Sequence, residues 1–322
     1  MKKIIIISHK EDLDGIGAAA ILKRYYDQKK EYSYNFYFSL YSEFVDLFSK
    51  VILKDFTLFY ITDIGFNNSF LQFFRGEHPF FKNNDYETVK KKIKKIHWLD
   101  HHLIKEENLK FMRSLLFDFS HDIENTCASK IIYEYLNKKF NWNDDVAKKI
   151  ANYANEIDHN VSLKVSDIIQ RVINSNQNNF SNLIKSMEYL SKGEFEHPWF
   201  IKQNEERLKV EKIELKRVLN NLQKLKILDL KIIVAESEIL TTGYLIKYLY
   251  NNISADIYLT INNNQVSIRS HKLNVREMAI EFDGGGHKLR AGFYYENIIQ
   301  NDKINPKFVK KFKKVIKKIH FI

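Results

Sequence analysis

Four consecutive isoleucines at positions 4–7 stop at Ser8 and His9, and from Ile16 apolar residues recur at helical spacing through Ala19, Ala20, Leu22 and Tyr26. A short apolar run bounded by polar residues and followed by a helical pattern is a strand buried on both faces that feeds a crossover helix. The pattern repeats. Strands are expected at 34–38, 57–61 and 96–99, and strands alternating with helical patterns specify βαβ units around a largely parallel sheet. Polar residues follow these runs: Ser8-His9, Thr62-Asp63 and Asp100-His101-His102. In open α/β sheets the carboxyl ends of parallel strands form the ligand-binding edge, so these residues are where chemistry is expected.

At 322 residues the chain is longer than one core usually supports, roughly 250–300 residues, which argues for two domains. From about 125 to 157 the pattern is helical, with Asn125 or Thr126 as caps and a break at 141–144. Residues 199–225 contain no glycine or proline and space Leu208, Ile213, Leu215, Leu219 and Leu222 among charges, as a connecting helix does. Beyond it, 231–235 reads as a strand, 243–250 as a helix, and 256–261 with 265–270 as a hairpin around Asn262-Asn263-Asn264. The expected architecture is α/β: a parallel-sheet domain at 1–195, a helical linker at 196–229 and a smaller α/β domain at 230–322, with the active site in the cleft between domains.

The formal charge of +11, from 51 basic and 40 acidic residues, favours polyanionic partners. The lysine runs at 90–95 and 307–318 read as solvated helix faces. A single cysteine, Cys127, excludes an internal disulfide and a cysteine metal cluster, and is expected in the core. With no run near the ~20 apolar residues of a membrane span and no apolar signal region after Met1, a cytoplasmic protein without a membrane partner is expected.

Histidine and aspartate dominate the strand-end segments: His9, Asp12, Asp14, Asp63, then Asp100-His101-His102, then Asp158-His159. In a loop, carboxylates at i and i+2 can diverge toward two ions while His9 returns to the first. Reading Asp12 and Asp14 as caps or surface carboxylates would leave His9 and the triplet as coincidences. Carboxylates suit hard cations, and imidazoles tilt the choice toward Mn²⁺ over Mg²⁺. Two such ions about 3.5–4 Å apart clamp the attacking and leaving oxygens of an in-line phosphoryl displacement.

These segments resemble the DHH phosphoesterase superfamily, whose name is the triplet Asp100-His101-His102. The first motif is His9-x-x-Asp12-x-Asp14-Gly15, the second ends at Asp63, and the fourth is the aspartate of Asn155-Glu156-Ile157-Asp158. Residues 284–292, beginning Gly284-Gly285-Gly286-His287, look like the signature of the DHH-associated domain. The resemblance implies one ion held by His9, Asp12 and Asp63, and another by Asp14, Asp63, His101 and Asp158, with Asp63 bridging. Glu156 and His159 are neighbours that could replace Asp158 as ligand. It further implies that His102 faces the phosphate, that Asp100 orients an imidazole, and that a hydroxide between the ions is the nucleophile. Arg269 and Ser270 at the end of a strand, with Gly284, Gly285, Gly286 and His287, are the expected substrate-binding residues. The glycines let backbone amides approach a phosphate. Arg290 stands where the family often has a small residue, and the resemblance gives it no role.

The expected activity is metal-dependent hydrolysis of short RNA or DNA oligonucleotides, or of linear or cyclic dinucleotides, to mononucleotides. A phosphoadenosine-nucleotide phosphatase and a single-strand exonuclease are the alternatives within the superfamily. An inorganic pyrophosphatase is disfavoured by the glycine-rich histidine motif, and a non-catalytic nucleic-acid-binding protein by the complete set of ligand residues. Homodimerisation is left open.

Overall fold

A computed structural model describes residues 1–66, 68–102, 104, 106–121, 126–159, 161, 163–301 and 303–320. Asn125, one of the two expected caps, lies outside them. The chain divides into two compact units, Met1–Arg207 and Leu208–Ile322.

In the first unit the order is β1 (Lys2–His9), α1 (Leu13–Asp27), β2 (Tyr32–Ser39), α2 (Phe44–Val51), β3 (Leu58–Thr62), α3 (Asn68–Arg75), α4 (Tyr86–Ile93), β4 (Ile96–Asp100), α5 (Glu106–Leu115), β5 (Asp118–His121), α6 (Ala128–Phe140), α7 (Asp145–Asp158), α8 (Lys164–Ser175), α9 (Phe180–Lys192) and α10 (Pro198–Asn220). The strands form one sheet in the order β2-β1-β3-β4-β5, parallel throughout. The isoleucines of β1 explain why the sheet is covered twice. Ile4 and Ile6 pack into a core with α1, α6, α7, α8 and α9, whereas Ile5 and Ile7 face a core that is rich in phenylalanine and includes Trp98. The chain moves from β1 outward to β2 and then crosses to β3 on the other side, so a topological switch lies between β1 and β3. At such a switch the loops diverge and leave a crevice at the carboxyl edge.

The second unit holds β6 (Gln223–Ile227), β7 (Leu230–Glu236), α11 (Thr242–Asn252), β8 (Ile257–Asn262), β9 (Gln265–Ser270), α12 (Val275–Ile280), β10 (Gly285–His287), β11 (Arg290–Tyr294), β12 (Ile299–Gln300), β13 (Lys303–Ile304) and α13 (Pro306–His320). Its main sheet runs β10-β11-β9-β8-β7-β6. Alternate residues Ile232, Val234, Ile257, Leu259 and Ile268 pack on one face with α12 and α13 residues. Ile233 and Tyr258 pack on the other with Leu245, Ile246 and Leu249 of α11. The hairpin turns through Asn263 and Asn264 at φ 46° and 65°, the two left-handed residues of a type I′ turn that asparagine tolerates.

The helix expected across 199–225 is shorter than its pattern. The long helix ends at Asn220, and Leu225 lies in β6, paired with Ile232. The division between units falls inside α10 rather than at either end of 196–229. Elsewhere the helix break is as expected: Asn141 ends α6 in the left-handed region, and the Asp144 side chain accepts the Ala147 amide to start α7. Cys127 is buried. Among the described residues, no helix is long and apolar enough to cross a membrane.

Candidate metal centre

Three adjacent strands end at one edge and deliver His9 from β1, Asp63 just after β3 and Asp100 with His101 from β4. The turn from β1 into α1 supplies Asp12 and Asp14. It is tight because Gly15 lies against β1: a β-carbon there would come within 2.3 Å of the His9 carbonyl oxygen. Ser8 ties the same turn by donating its hydroxyl to the Gly15 carbonyl at 2.6 Å.

Asp12 and Asp14 both cap helices. Asp12 Oδ1 accepts the Gly15 amide at 3.0 Å at the start of α1. Asp14 reaches across to α6, where its two oxygens accept the amides of Ala128 and Ser129 at 2.7 Å each. α6 therefore needs no cap of its own: the Cys127 side chain makes no capping bond, and the Thr126 hydroxyl bonds only the neighbouring carbonyl, at 3.5 Å. Capping, set against ligation in the sequence, leaves each carboxylate able to hold a cation as well, because each oxygen has two lone pairs.

The cluster has two lobes that share Asp63. On one side His9 Nδ1 lies 3.1 Å from Asp12 Oδ2 and 3.5 Å from Asp63 Oδ2. On the other, His101 Nε2 lies 3.4 Å from Asp63 Oδ1, 3.5 Å from Asp158 Oδ2 and 3.6 Å from Asp14 Oδ2. His9, Asp12 and Asp63 form one group able to hold a cation, Asp14, His101 and Asp158 a second, and Asp63, His101 and His102 a third. Asp63 occupies this place at φ 55°, a left-handed conformation that aspartate adopts more readily than most residues but still at a cost. Of the possible ligands near the end of α7, Asp158 faces His101, whereas Glu156 accepts a hydrogen bond from Ser166 of α8 at 2.8 Å. A cavity of about 380 Å³ opens between Asp12, Asp63, His101, His102, Asp158 and His159.

Electrostatics follow from crowding. Burial, then the charges of Asp14 and Asp12, pushes Asp63 well above the carboxylate range, and burial with Asp14 and Asp63 raises Asp158 to about 8. Asp14 is raised by burial and by Asp12. Burial acts in the same sense on Asp12, but hydrogen bonding to His9 and to Gly15 outweighs it and holds the group at about 2. His9 is raised despite burial by bonds to Asp12, Asp63 and Glu11. Asp100, fully buried, accepts from His102 Nδ1 at 2.9 Å, and this pair overcomes burial to lift His102 to about 8.

A pair of divalent cations fits this donor set. Asp63 Oδ2 and Asp158 Oδ2 are buried outside ordinary hydrogen-bond geometry, with His9 and His101 nitrogens 3.5 Å away, and a divalent cation on these oxygens would supply the charge that such crowded carboxylates lack.

Several supporting residues were invisible in the sequence. Gln170 of α8 accepts the Leu13 amide at 2.6 Å, and Asn174 donates to the Glu11 carbonyl at 3.3 Å, so α8 braces the 11–13 turn. Glu11 also lies close, 3.3 Å from His9 Nε2.

The other expected site residues are in the second unit. Arg269 lies over the Tyr250 ring, 3.8 Å from its centroid. Ser270 is buried, its hydroxyl donating to the Asp256 carbonyl at 2.7 Å and accepting loop amides from Lys272 and Leu273, so it holds the strand end and presents nothing outward. Two glycines of the triplet answer to local packing: a β-carbon at Gly284 would lie 2.2 Å from the Gly292 carbonyl oxygen, and Gly286 has φ 137° and would meet Ala291 at 2.6 Å. Only Gly285 faces open space, with nothing within 4 Å. His287 is exposed.

A parallel α/β sheet that gathers aspartates and histidines around a shared carboxylate at its switch point defines a phosphoesterase-type metal fold. Residues 3–155 match the DHH family, N-terminal domain, and this part of the chain is a DHH-family domain. No curated protein matches it by sequence. Among solved structures it is similar to RecJ from Thermus thermophilus in complex with Mn²⁺, at TM-score 0.58 and 13% identity, over 98% of this chain and 52% of that one. A manganese-bound RecJ exonuclease gives TM-score 0.55 at 14% identity, covering 97% and 89%. The pGpG-specific phosphodiesterase PggH from Vibrio cholerae gives 0.52 at 13% identity, covering 100% and 99%. At these identities the likeness concerns the fold.

Proposed function

We propose that this chain is a two-metal phosphodiesterase that hydrolyses short oligonucleotides or dinucleotides to mononucleotides. The observation that carries the reading is the disposition of Asp63, whose two oxygens face separate lobes, one with His9 and Asp12, the other with His101, Asp14 and Asp158. Divalent cations held there, Mn²⁺ or Mg²⁺, supply charge neutralisation for displacement at phosphorus and acidify water. The chain's own contribution is orientation. Asp100 fixes the His102 ring through Nδ1, an orientation that suits the ring to hydrogen-bond a phosphate oxygen. Arg269 and His287 are the groups for the substrate's phosphates, arginine through its planar fork.

Relatives in fold include a dinucleotide phosphodiesterase matched along nearly its whole length, which supports the short-substrate reading. Initial rates under Mn²⁺ test it. Dinucleotides to oligomers of about five residues should be cleaved faster than strands of about 20, because no track of aromatic platforms for long strands is evident in the sequence. Rates that climb with length would indicate a single-strand exonuclease instead, and turnover confined to pyrophosphate or phosphoadenosine nucleotides would replace the substrate class.

A further inference from the structure

One row of residues crosses the second unit's sheet on the face that carries α11. By register Ile233 pairs with Tyr258, Tyr258 with Arg269, Arg269 with Arg290, and Arg290 with His287. Directly paired residues on neighbouring strands project from the same face. Ile233 and Tyr258 are covered by α11. Past β8 the row turns polar, and Arg290 and His287 are exposed. The neighbouring row on this face is small: Thr260, Ser267, Gly292 and Gly285. The result is a shelf with a cationic border.

Arg269 and Arg290 are like charges directly opposite each other, an arrangement that destabilises a sheet unless an anion intervenes. Neither guanidinium has a carboxylate or hydrogen-bond partner among the described residues, although Arg24 and Arg217 both have acidic partners. The two side chains diverge. Arg269 is flattened on Tyr250, which in turn stacks on His271 at 3.8 Å, so its face is occupied and its N–H edge is free. Arg290 Nη2 lies 3.8 Å from the position of a β-carbon on Gly243. Gly243 and Tyr250 are two turns apart on α11. Two unpaired cations set against different turns of one helix offer positions for two anionic groups of one ligand.

Building on the phosphodiesterase reading, we propose that this shelf binds a nucleotide carrying two phosphate groups, one on Arg269 and one on Arg290, and that Arg290 makes the protein prefer dinucleotides with a terminal phosphate over those without. Tyr250 is a positioning residue that holds the Arg269 plane.

The test uses the full chain. Binding of adenosine 3′,5′-bisphosphate and of adenosine 5′-monophosphate is measured with chelator present, for the wild type, Arg290→Ala and Arg290→Lys, and turnover of pApA and ApA is measured with Mn²⁺. In the wild type the bisphosphate should bind about 10- to 100-fold more tightly than the monophosphate, the range of one charge-assisted contact. Arg290→Ala should reduce that ratio to within about threefold, Arg290→Lys should restore part of it, and the salt slope for the bisphosphate should shrink by about one in the alanine variant. Equal binding of both ligands by the wild type, or an equal loss for both in Arg290→Ala, overturns the proposal. If the bisphosphate is preferred but neither dinucleotide is cleaved, the phosphodiesterase reading fails and the shelf stands as a nucleotide site. If both dinucleotides are cleaved at one rate by wild type and variant, the specificity role of Arg290 fails alone.

Discussion

Asp14 and Ser129 bond each other twice: Asp14 Oδ1 accepts the Ser129 amide at 2.7 Å, and the Ser129 hydroxyl donates to the Asp14 carbonyl at 2.7 Å. A proposed metal ligand is therefore also the cap of a helix more than a hundred residues away in sequence. Asp14→Ala should thus destabilise the protein even in chelator, by about 1–3 kcal/mol, since it strands two buried amides. Asp14→Asn keeps one acceptor and should cost less while still weakening metal binding. Urea unfolding with EDTA checks this; an alanine variant as stable as wild type would remove Asp14 from the cap.

Asp63 couples function to strain in the opposite sense. It is buried, held at φ 55° and crowded by Asp14 and Asp12. Asp63→Gly should relieve both the backbone strain and the repulsion, stabilising the metal-free protein by about 1–2 kcal/mol. The same change removes the carboxylate shared by the two lobes, so turnover should fall by about a thousandfold and bound metal should drop below that of Asp12→Ala. Metal analysis beside unfolding curves decides. Full activity in the glycine variant contradicts the bridging role.

Cation binding should be visible as stability without any substrate. Because the carboxylates meet at the folded edge and are far apart in the unfolded chain, a cation such as Mn²⁺ should bind the native state preferentially. At a free concentration about a hundredfold above Kd the gain is about 2.7 kcal/mol. A thermal scan with Mn²⁺ and with EDTA should differ by several degrees, and the difference should collapse in Asp63→Gly. Identical melting curves for the wild type in the two conditions would count against a metal centre.

Much of this arrangement was legible because it rests on local pattern. The isoleucine run gave β1, the asparagines gave the hairpin turn, and the strand-end residues His9, Asp63 and His101 meet because parallel topology brings strand ends together. What escaped prediction depends on long-range partners. The Asp14 cap on α6 and the Gln170 brace on Leu13 join segments that no periodicity relates. β5 is four half-buried residues, too short and polar to register as a strand. The helix through 199–225 seemed continuous because Leu222 and Leu225 extend its apolar spacing, yet β6 pairs with β7 from Gln223. The Arg269–Arg290 pairing required strand register, which the sequence carries only weakly.

His97 gives the pH dependence its clearest signature. The ring is buried in β4, stacked on Tyr60 with centroids 4.7 Å apart, with Nδ1 3.0 Å from the Tyr135 hydroxyl and no partner for Nε2. Burial, reinforced by the charge of Lys139 and only partly opposed by Asp118, depresses its pKa from 6.5 to about 4. Between these values the unfolded chain binds a proton that the folded protein does not. Stability contributed by this group is therefore full above about pH 6.5 and is lost as the pH falls to about 4, a total of about 3 kcal/mol. The raised carboxylates Asp63 and Asp158 act oppositely, since the folded state holds their protons more tightly. A wild-type profile alone would mix the two, so the comparison is with His97→Gln in chelator. The free-energy difference between wild type and variant should be constant above pH 7 and shift toward the variant by up to about 3 kcal/mol on reaching pH 4. A difference that does not change with pH would show that His97 is not held neutral by the fold.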